Sequence, residues 1–299
     1  MVDLCAHDPA AADLYDALLH RDHRWAGDFL ESVADPDDRA FYVSVCARVP
    51  GLEEWIASWA REEPRSTLPL LVRGAHAAHW AWEARHRPGE RRLFERRLEL
   101  AEACLNEVVA RDPADTAAWS FLLTAARAGQ VEPDEARRRF ERVVELHADH
   151  LRAHTEMFAY LRSRRNGDAT EMFAFARGAV AKSRAGSPLG RLVADAHIEM
   201  WLTLPYGQGG EYMAQEEVRA DLRAAADHSI RHPDYRPRAG WPEVHNAFAF
   251  AFAVAGDGPA ARDEFDHIGD LVTAWPWYYY RPDPVAAFRE LRAAVFAGV

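Results

Sequence analysis

Apolar residues recur at helical spacing along nearly the whole chain, in segments that end at Gly, Pro or Asp. A spacing of three to four residues predicts amphipathic helices, and the period of two that marks half-buried strands is almost absent. Residues 247–255 alternate as a strand would, but a Pro-Glu helix start at 242 precedes them, and we predict a helix that is apolar on all sides and deeply buried. Residues 41–45 are rich in β-formers but follow Asp35 and Pro36, a typical helix start, so they are also predicted to be helical. The sequence therefore predicts an all-α fold.

A pattern of paired helices is clearest in residues 95–150. A first helix carries Trp119 and Leu122, and a second helix carries Ala136, Phe140 and Val143. The second-helix spacing recurs elsewhere, at Ala101, Leu105, Val108 and Pro113 and at Ala261, Phe265 and Ile268. Gly74 falls where the first helix of such a pair needs a small residue, so that the two helices can approach closely. The pattern resembles the tetratricopeptide repeat in a degenerate form with insertions. The segments 171–177 and 245–249 are also similar to those of bacterial helical-repeat proteins that are grouped only as a family of unknown function.

The resemblance implies a curved solenoid of antiparallel helix hairpins, with roughly a dozen helices and a cap at both ends. It implies one helical-repeat domain over residues 1–299, with capping helices in 1–50, degenerate repeats in 51–270 and a C-terminal cap in 271–299. The aromatic run 275–280 could form a platform for a peptide or a sugar, but the interpretation we favour is that it seals this cap. In a tetratricopeptide array the first helices line a concave groove that binds an extended peptide or a helix. The leading hypothesis is therefore a non-catalytic interaction protein whose partner is a peptide or protein segment.

Counting from Trp119 gives the positions that would face this groove. The polar candidates for contact with a ligand are Ser120, Thr124, Arg127, Arg152, Thr155, Arg162 and Asn246. Arg127 and Arg162 fall at equivalent positions of neighbouring repeats, and guanidinium groups pair with carboxylates in a bidentate manner. These two arginines could therefore hold a carboxylate of the peptide. The alternative is that both simply face solvent, as most charged side chains do.

The balance of charge argues against two classes of partner. The 299 residues include 47 Asp plus Glu and 36 Lys plus Arg, for a formal net charge of −11. A protein that binds nucleic acids or anionic membrane surfaces needs a surplus of clustered cations. We therefore predict neither nucleic acid nor membrane as a partner. Lys182 is the only lysine, and 35 of the 36 basic residues are arginine. This bias is typical of a GC-rich genome, and it makes an arginine-rich stretch weak evidence for phosphate binding.

A second hypothesis places an enzyme active site or a small-molecule pocket inside the helical array, because His, Trp and Tyr exceed what a simple scaffold needs. The polar residues of interest under this alternative are His76, His79, His154 and Asn246. The chain contains 14 histidines, but no spacing completes a metal-ligand set, and no nucleophile motif is present. The Gly-rich stretch 207–210 lacks the strand and lysine of a phosphate-binding loop and is interpreted as a connector between helices. No metal, cofactor or catalytic residue is therefore predicted.

Cysteine usage indicates the compartment. Cys5, Cys46 and Cys104 lie far apart in the sequence and include no C-x-x-C pair. An odd number of unpaired cysteines is easier to reconcile with a reducing environment. Residues 1–9 lack the basic and apolar regions of a secretory signal, and the longest apolar run, 247–255, is too short to span a bilayer. We therefore predict a cytoplasmic protein.

Overall fold

The computed structural model describes residues 5–85, 87, 89–163, 169–205 and 207–298. The α-helices among these residues are α1 (Pro9–Leu19), α2 (His23–Ser32), α3 (Pro36–Cys46), α4 (Ile56–Glu62), α5 (Leu68–Arg85), α6 (Arg91–Arg111), α7 (Thr116–Gly129), α8 (Pro133–Leu146), α9 (Leu151–Ser163), α10 (Ala169–Lys182), α11 (Arg191–Thr203), α12 (Gln208–Met213), α13 (Glu216–His228), α14 (Pro242–Val254), α15 (Gly258–Ile268) and α16 (Pro284–Ala297). Short 3-10 helices cover Leu52–Glu54, Pro188–Gly190 and Trp277–Tyr279. The described ranges contain no β-strand, so the prediction of an all-α fold is confirmed, with sixteen α-helices rather than about a dozen.

Several helices begin at an aspartate that is followed by proline. Asp8, Asp35 and Asp283 each precede a proline in the first helical turn, and each carboxylate accepts a hydrogen bond from a backbone N–H of that turn. The Asp35 carboxylate accepts from the backbone N–H groups of Asp37 and Asp38 at 3.0 and 3.2 Å. Such a cap satisfies donors that the helix leaves unpaired, and the proline fixes φ at a helical value. Residues 41–45 continue the helix that begins here, so their predicted helical state is confirmed.

Helix α14 shows how an alternating sequence becomes a buried helix. Residues 247–252 are completely buried, so both the alanines and the phenylalanines face protein rather than water. The Phe248 and Phe252 rings stack at 5.9 Å, and Phe250 meets the ring of Trp277 at 5.3 Å. A helix packed on every side has no polar face, which explains why the sequence shows no helical period here. The prediction for residues 247–255 is confirmed as far as Val254, where the helix ends.

The Gly-rich stretch 207–210 is not a plain connector. Gly207 has a positive φ of 89°, and α12 begins at the next residue, Gln208. The conformation of Gly207 is open to glycine at little cost, whereas a side chain would be strained there. The interpretation of the whole stretch as a connector is therefore wrong, because three of its four residues are helical.

The helices fall into two compact units. Residues 8–166 hold α1 to α9, and residues 167–299 together with 1–7 hold α10 to α16. The single repeat domain over residues 1–299 and the curved solenoid stay predictions.

In the unit 8–166, Gly74 lies where the consecutive helices α5 and α6 pack together. A Cβ atom at Gly74 would lie only 2.6 Å from Leu105 Cγ. Leu105 and its neighbours on the same face of α6, Ala101 and Val108, are completely buried. A residue without a side chain therefore allows the close contact between these two helices.

In the unit that contains α10 to α16, α11 packs against α10, α12, α13 and α14 and is buried over residues 191–199. Its buried charges are paired, as desolvation requires. Arg191 Nε lies 3.2 Å from Asp195 Oδ2, and Arg191 Nη1 lies 3.1 Å from Glu243 Oε2. Trp275 Nε1 donates to Asp195 Oδ1 at 2.8 Å. Helix α10 leads into this group of helices and ends at the exposed Lys182.

Candidate functional site

In the unit 8–166, helices α7 and α9 carry the residues that the repeat pattern places along a groove, and α5 carries His76 and His79 of the alternative pocket. Helix α7 packs against both α5 and α9, and the N-terminal helix α3 packs against all three. Arg39 of α3 lies 3.7 Å from Asp115, which caps α7. Asp37 Oδ1 accepts the backbone N–H of Leu151, the first residue of α9, at 2.8 Å. Helix α3 is therefore joined to the N-terminal ends of both α7 and α9.

The predicted positions on α7 become more accessible toward its C-terminal end. Ser120 is completely buried, and its hydroxyl donates to the carbonyl of Ala117 at 2.7 Å. Thr124, about one turn further, is 9% exposed, and the side chain of Arg127 is 16% exposed. A ligand could therefore reach the Arg127 end of α7, whereas Ser120 is closed to it.

Arg127 and Arg152 meet at one carboxylate, that of Glu156 on α9. Arg127 Nε donates to Glu156 Oε2 at 3.2 Å, and Arg152 Nη2 lies 3.4 Å from Glu156 Oε1. Arg152 Nη2 also donates to Thr124 Oγ1 at 3.1 Å. We refer to Thr124, Arg127, Arg152 and Glu156 as the arginine cluster. It joins α7 to α9 at a partly buried surface.

Two aromatic rings hold the guanidinium groups of this cluster in place. Arg127 Cζ lies 4.4 Å from the centre of the Trp82 ring on α5, and Arg152 Cζ lies 3.9 Å from the centre of the Phe121 ring on α7. Both distances are within the range of a cation–π contact. The Nη1 and Nη2 groups of Arg127 donate to no other residue in the described part of the chain. Arg127 is thus oriented through its Nε and its flat face, and its remaining donors are available to a ligand.

The arginine cluster combines two guanidinium groups with one carboxylate, which leaves one positive charge in a chain of net charge −11. Burial opposes ionisation of Glu156, but the charges of Arg127 and Arg152 outweigh it and hold the pKa of this carboxyl below its usual value. His79, on α5, has a pKa lowered by burial and by the charge of Arg48. The imidazole is therefore neutral at neutral pH.

The other predicted groove residues lie apart from the cluster's donors. The Thr155 hydroxyl donates to the Arg152 carbonyl at 2.9 Å, so it serves its own helix. Arg162 is exposed one residue before the end of α9. The structure brings Thr124, Arg127 and Arg152 together and adds no contact between Arg127 and Arg162.

Asn246 belongs to the other unit, where it is completely buried on α14. Its Nδ2 donates to the carbonyls of Pro242 and Leu271 at 2.7 and 2.9 Å. Its Oδ1 accepts from Trp277 Nε1 at 2.6 Å and from the backbone N–H of Thr273 at 3.5 Å. These bonds use the amide fully, so Asn246 ties the segment 271–277 to α14.

The histidines of the second hypothesis are engaged in packing. His76 is buried, with Nδ1 3.0 Å from the Ala47 carbonyl and Nε2 3.1 Å from Glu53 Oε2. His154 is buried on α9, with Nδ1 2.9 Å from the His150 carbonyl, and burial lowers its pKa. His79 is the most accessible of the three, with 40% of its side chain exposed. The described ranges contain no group of three or more His, Cys, Asp or Glu residues placed to hold a metal ion.

Two members of the site, Glu156 and Trp82, were not anticipated from the sequence. Glu156 follows Arg152 by four residues, a spacing that puts both on one face of α9, so the pair could have been found. Trp82 reaches Arg127 only because α5 packs against α7, and no local pattern shows that contact.

Searches against protein-family models, curated proteins and solved structures found no match for the chain. No helix in the described ranges is both long enough and apolar enough to cross a membrane.

Proposed function

We propose that this protein is a non-catalytic interaction protein that binds an acidic peptide segment at the arginine cluster. The observation that supports this proposal most is that the Arg127 guanidinium is held in place while two of its nitrogen donors are unused. Its Nε donates to Glu156 and its Cζ lies 4.4 Å from the centre of the Trp82 ring, while Nη1 and Nη2 donate to no described residue. A guanidinium held in this way is ready to receive a carboxylate through two parallel hydrogen bonds.

The electrostatics favour a carboxylate over a neutral group. Glu156 neutralises only one of the two arginines, and its lowered pKa keeps it ionised at neutral pH, so the excess charge is constant there. Partial burial weakens screening by salt, which strengthens the attraction for an incoming anion. Removing one partner of such a charge-assisted contact costs about 1.5–3 kcal/mol, or roughly 10- to 100-fold in affinity.

We infer that the unit 8–166 is a degenerate tetratricopeptide-like array, and that α3 restricts its groove to the end near Arg127. The consecutive pairs α5–α6 and α7–α8, the contacts of α7 with α5 and α9, and Gly74 at a helix crossing support this interpretation. The same proposal places the protein in the cytoplasm, where three buried free thiols are stable.

The experiment is selection of binders from a displayed library of random 12-residue peptides. The affinities of the selected peptides are then measured by fluorescence polarisation for the wild type, Arg127→Gln, Arg152→Gln and the control Arg142→Gln. Arg142 is a suitable control because it is an arginine on α8, outside the cluster, that also pairs with a glutamate, Glu145, at 2.6 Å. Arg162→Gln tests the second arginine of the predicted pair.

We expect an Asp or Glu at one fixed place in the selected peptides. Arg127→Gln should weaken binding at least tenfold, and the loss should shrink when that acidic residue is replaced by its amide. Arg142→Gln should bind as the wild type does. The proposal is wrong if no peptide is selected, or if Arg127→Gln and Arg152→Gln leave the affinity unchanged.

A further inference from the structure

A pocket that is open to solvent lies among α10, α11 and α12, in the unit that does not contain the arginine cluster, and we refer to it as the cavity. Phe173, Met200 and Tyr212 form its half-buried part, whereas the Arg177 side chain at its edge is 56% exposed. Its volume is about 380 Å³, and its walls come from Ala169, Thr170, Phe173, Ala174, Arg177, Met200 and Tyr212. This volume falls in the range of small-molecule sites, about 300–1,000 Å³. Most of the lining is apolar, and Thr170, Arg177 and Tyr212 are its residues with polar side chains. The cavity would therefore take a small ligand with an apolar body and few polar groups.

A chain of hydrogen bonds runs behind the polar side of this cavity. The Tyr212 hydroxyl oxygen lies 2.6 Å from His197 Nδ1, and His197 Nε2 lies 3.0 Å from Asp221 Oδ2. The same Asp221 oxygen accepts from Arg177 Nε and Nη2 at 3.0 and 2.7 Å. Two cavity residues, Tyr212 and Arg177, are thus connected through a buried histidine and a carboxylate. The Phe173 ring meets His197 edge-on at 4.9 Å and supports the chain from the cavity side.

The direction of each hydrogen bond follows from the chemistry of the partners. The hydrogen bonds from His197 and Arg177 lower the pKa of Asp221, so this carboxylate is ionised and can only accept. In the neutral imidazole, His197 Nε2 must therefore carry the hydrogen, and Nδ1 accepts one from Tyr212. Burial raises the pKa of Tyr212 to about 12, so the phenol keeps its proton. With the neutral ring, the Tyr212 proton is committed to His197, and the Tyr212 oxygen offers lone pairs to a ligand.

Arg177 supplies a hydrogen-bond donor, in contrast to the acceptor on Tyr212. Its Nε and Nη2 are used by Asp221, and its Nη1 donates to no other residue in the described ranges. Its guanidinium lies 5.0 Å from the centre of the Phe173 ring. The cavity thus offers an acceptor on Tyr212 and a donor on Arg177, beside the Phe173 and Met200 side chains.

We infer that this cavity is a binding site for a small apolar alcohol or phenol. The hydroxyl group is the smallest function that donates one hydrogen bond and accepts another. It donates to the Tyr212 oxygen and accepts from Arg177 Nη1, while the hydrocarbon part packs on Phe173 and Met200. This site is independent of the proposed peptide site, because none of its residues belongs to the unit 8–166.

The test uses p-cresol as the probe and 4-methylanisole as its matched analogue, in which the hydroxyl hydrogen is replaced by a methyl group. Binding to the full-length protein is measured by calorimetry and by ligand-observed NMR. The variants are Tyr212→Phe, which removes the acceptor, and Ala174→Phe, which fills the cavity from an exposed position on α10. Ala181→Phe is the control, because Ala181 is also exposed on α10 but does not line the cavity. Circular dichroism checks that each variant is folded.

We expect saturable binding of p-cresol and at least fivefold weaker binding of 4-methylanisole, since one hydrogen bond is lost. Ala174→Phe should abolish binding, and Ala181→Phe should not. In Tyr212→Phe the preference for p-cresol over 4-methylanisole should disappear, even if the mutation also loosens His197. The inference is overturned if p-cresol shows no saturable binding up to about 5 mM, a weak limit for so small a ligand. It is equally overturned if folded Ala174→Phe binds p-cresol as the wild type does, or if the preference survives in Tyr212→Phe.

Discussion

Replacing Gly74 by alanine should destabilise the unit 8–166, although alanine is normally the better residue in a helix. The new Cβ would lie 2.6 Å from Leu105 Cγ and 2.9 Å from Leu105 Cδ2, with Cys104 Cβ at 3.2 Å. Leu105 is completely buried, so it has no free space to enter. Its Cγ atom also lies close to the main chain, and moving it requires a shift of α6 against α5.

The expected magnitude combines two opposing effects. Alanine gains about 1 kcal/mol over glycine from helix propensity. Overpacking a dense core costs about 1–3 kcal/mol, and a clash with a Cγ atom rather than a side-chain tip places this case at the upper end. The free energy of unfolding should therefore fall by about 2 kcal/mol. With a slope of about 2 kcal/mol per molar urea, the midpoint should fall by about 1 M.

The measurement is urea unfolding followed by circular dichroism, with Gly178→Ala as the matched control. Gly178 is also inside a helix, α10, but a Cβ there would meet nothing within 4 Å. Gly178→Ala should thus stabilise its own unit by about 0.5–1 kcal/mol, because only the propensity changes.

A second background separates the clash from other effects. In Leu105→Ala the two atoms closest to the new Cβ are gone and only Cys104 Cβ, at 3.2 Å, remains, so Gly74→Ala should become neutral or stabilising there. The reasoning is refuted if Gly74→Ala stabilises the otherwise unaltered protein as Gly178→Ala does, or if its effect has the same sign and size in both backgrounds.

Three further predictions concern buried polar groups. Burial lowers the pKa of His150 to about 4, against about 6.5 in an unfolded chain. The neutral form of His150 therefore contributes its full stabilisation above pH 6.5. As the pH falls from 6.5 toward 4, the free energy of unfolding should decrease by about 3 kcal/mol. Urea midpoints measured across this range should fall more steeply for the wild type than for His150→Gln; parallel curves would contradict this. Asn246→Ala should cost about 3 kcal/mol in urea unfolding, since it leaves the completely buried Trp277 Nε1 without its acceptor, and a loss below about 0.5 kcal/mol would be inconsistent with that role. All three cysteines are buried, and burial raises the thiol pKa of Cys46 and Cys104. A disulfide reagent at pH 8 should therefore modify no thiol before the protein unfolds. Rapid labelling of the native protein would contradict this prediction.

The helical class could be predicted from the sequence because it depends on local signals. Asp35 and the following Pro36 begin a helix, so the β-rich residues 41–45 become part of α3. Spacing also predicts that Thr124 and Arg127 share one face of α7, since positions three apart lie on the same side of a helix. It paired Arg127 with Arg162, and the meeting of Arg127 with Arg152 at Glu156 was not predicted. These inferences need only the geometry of a single helix or a helix pair.

The packing of α3 against α5, α7 and α9 could not be predicted in the same way. The contacts of α3 with α5, α7 and α9 join residues far apart in the sequence, as Asp37 and Leu151 show. No periodicity encodes them. The repeat spacing predicts that Ser120 faces a groove. Its burial, however, depends on which helices pack around it, and spacing does not determine that.

The hydrogen bonds that connect Tyr212 to Arg177 show a second feature that the sequence could not predict. Tyr212, His197, Asp221 and Arg177 come from four different helices, α12, α11, α13 and α10. Their spacings in the sequence follow no helical period, and two of the helices begin at residues, Gln208 and Glu216, with no strong cap. Such a cluster becomes visible only when the helices are packed.

Because Lys182 is the only lysine, the folded protein can be labelled with a fluorophore at a single side chain. Lys182 is exposed at the end of α10, five residues after Arg177, which corresponds to about 8 Å along the helix axis. Apart from the α-amino group, an amine-reactive dye has one place to attach, without any mutation. A fluorophore there lies within one or two helical turns of the cavity, so its emission would report occupancy of the cavity while the arginine cluster, in the other unit, stays unmodified.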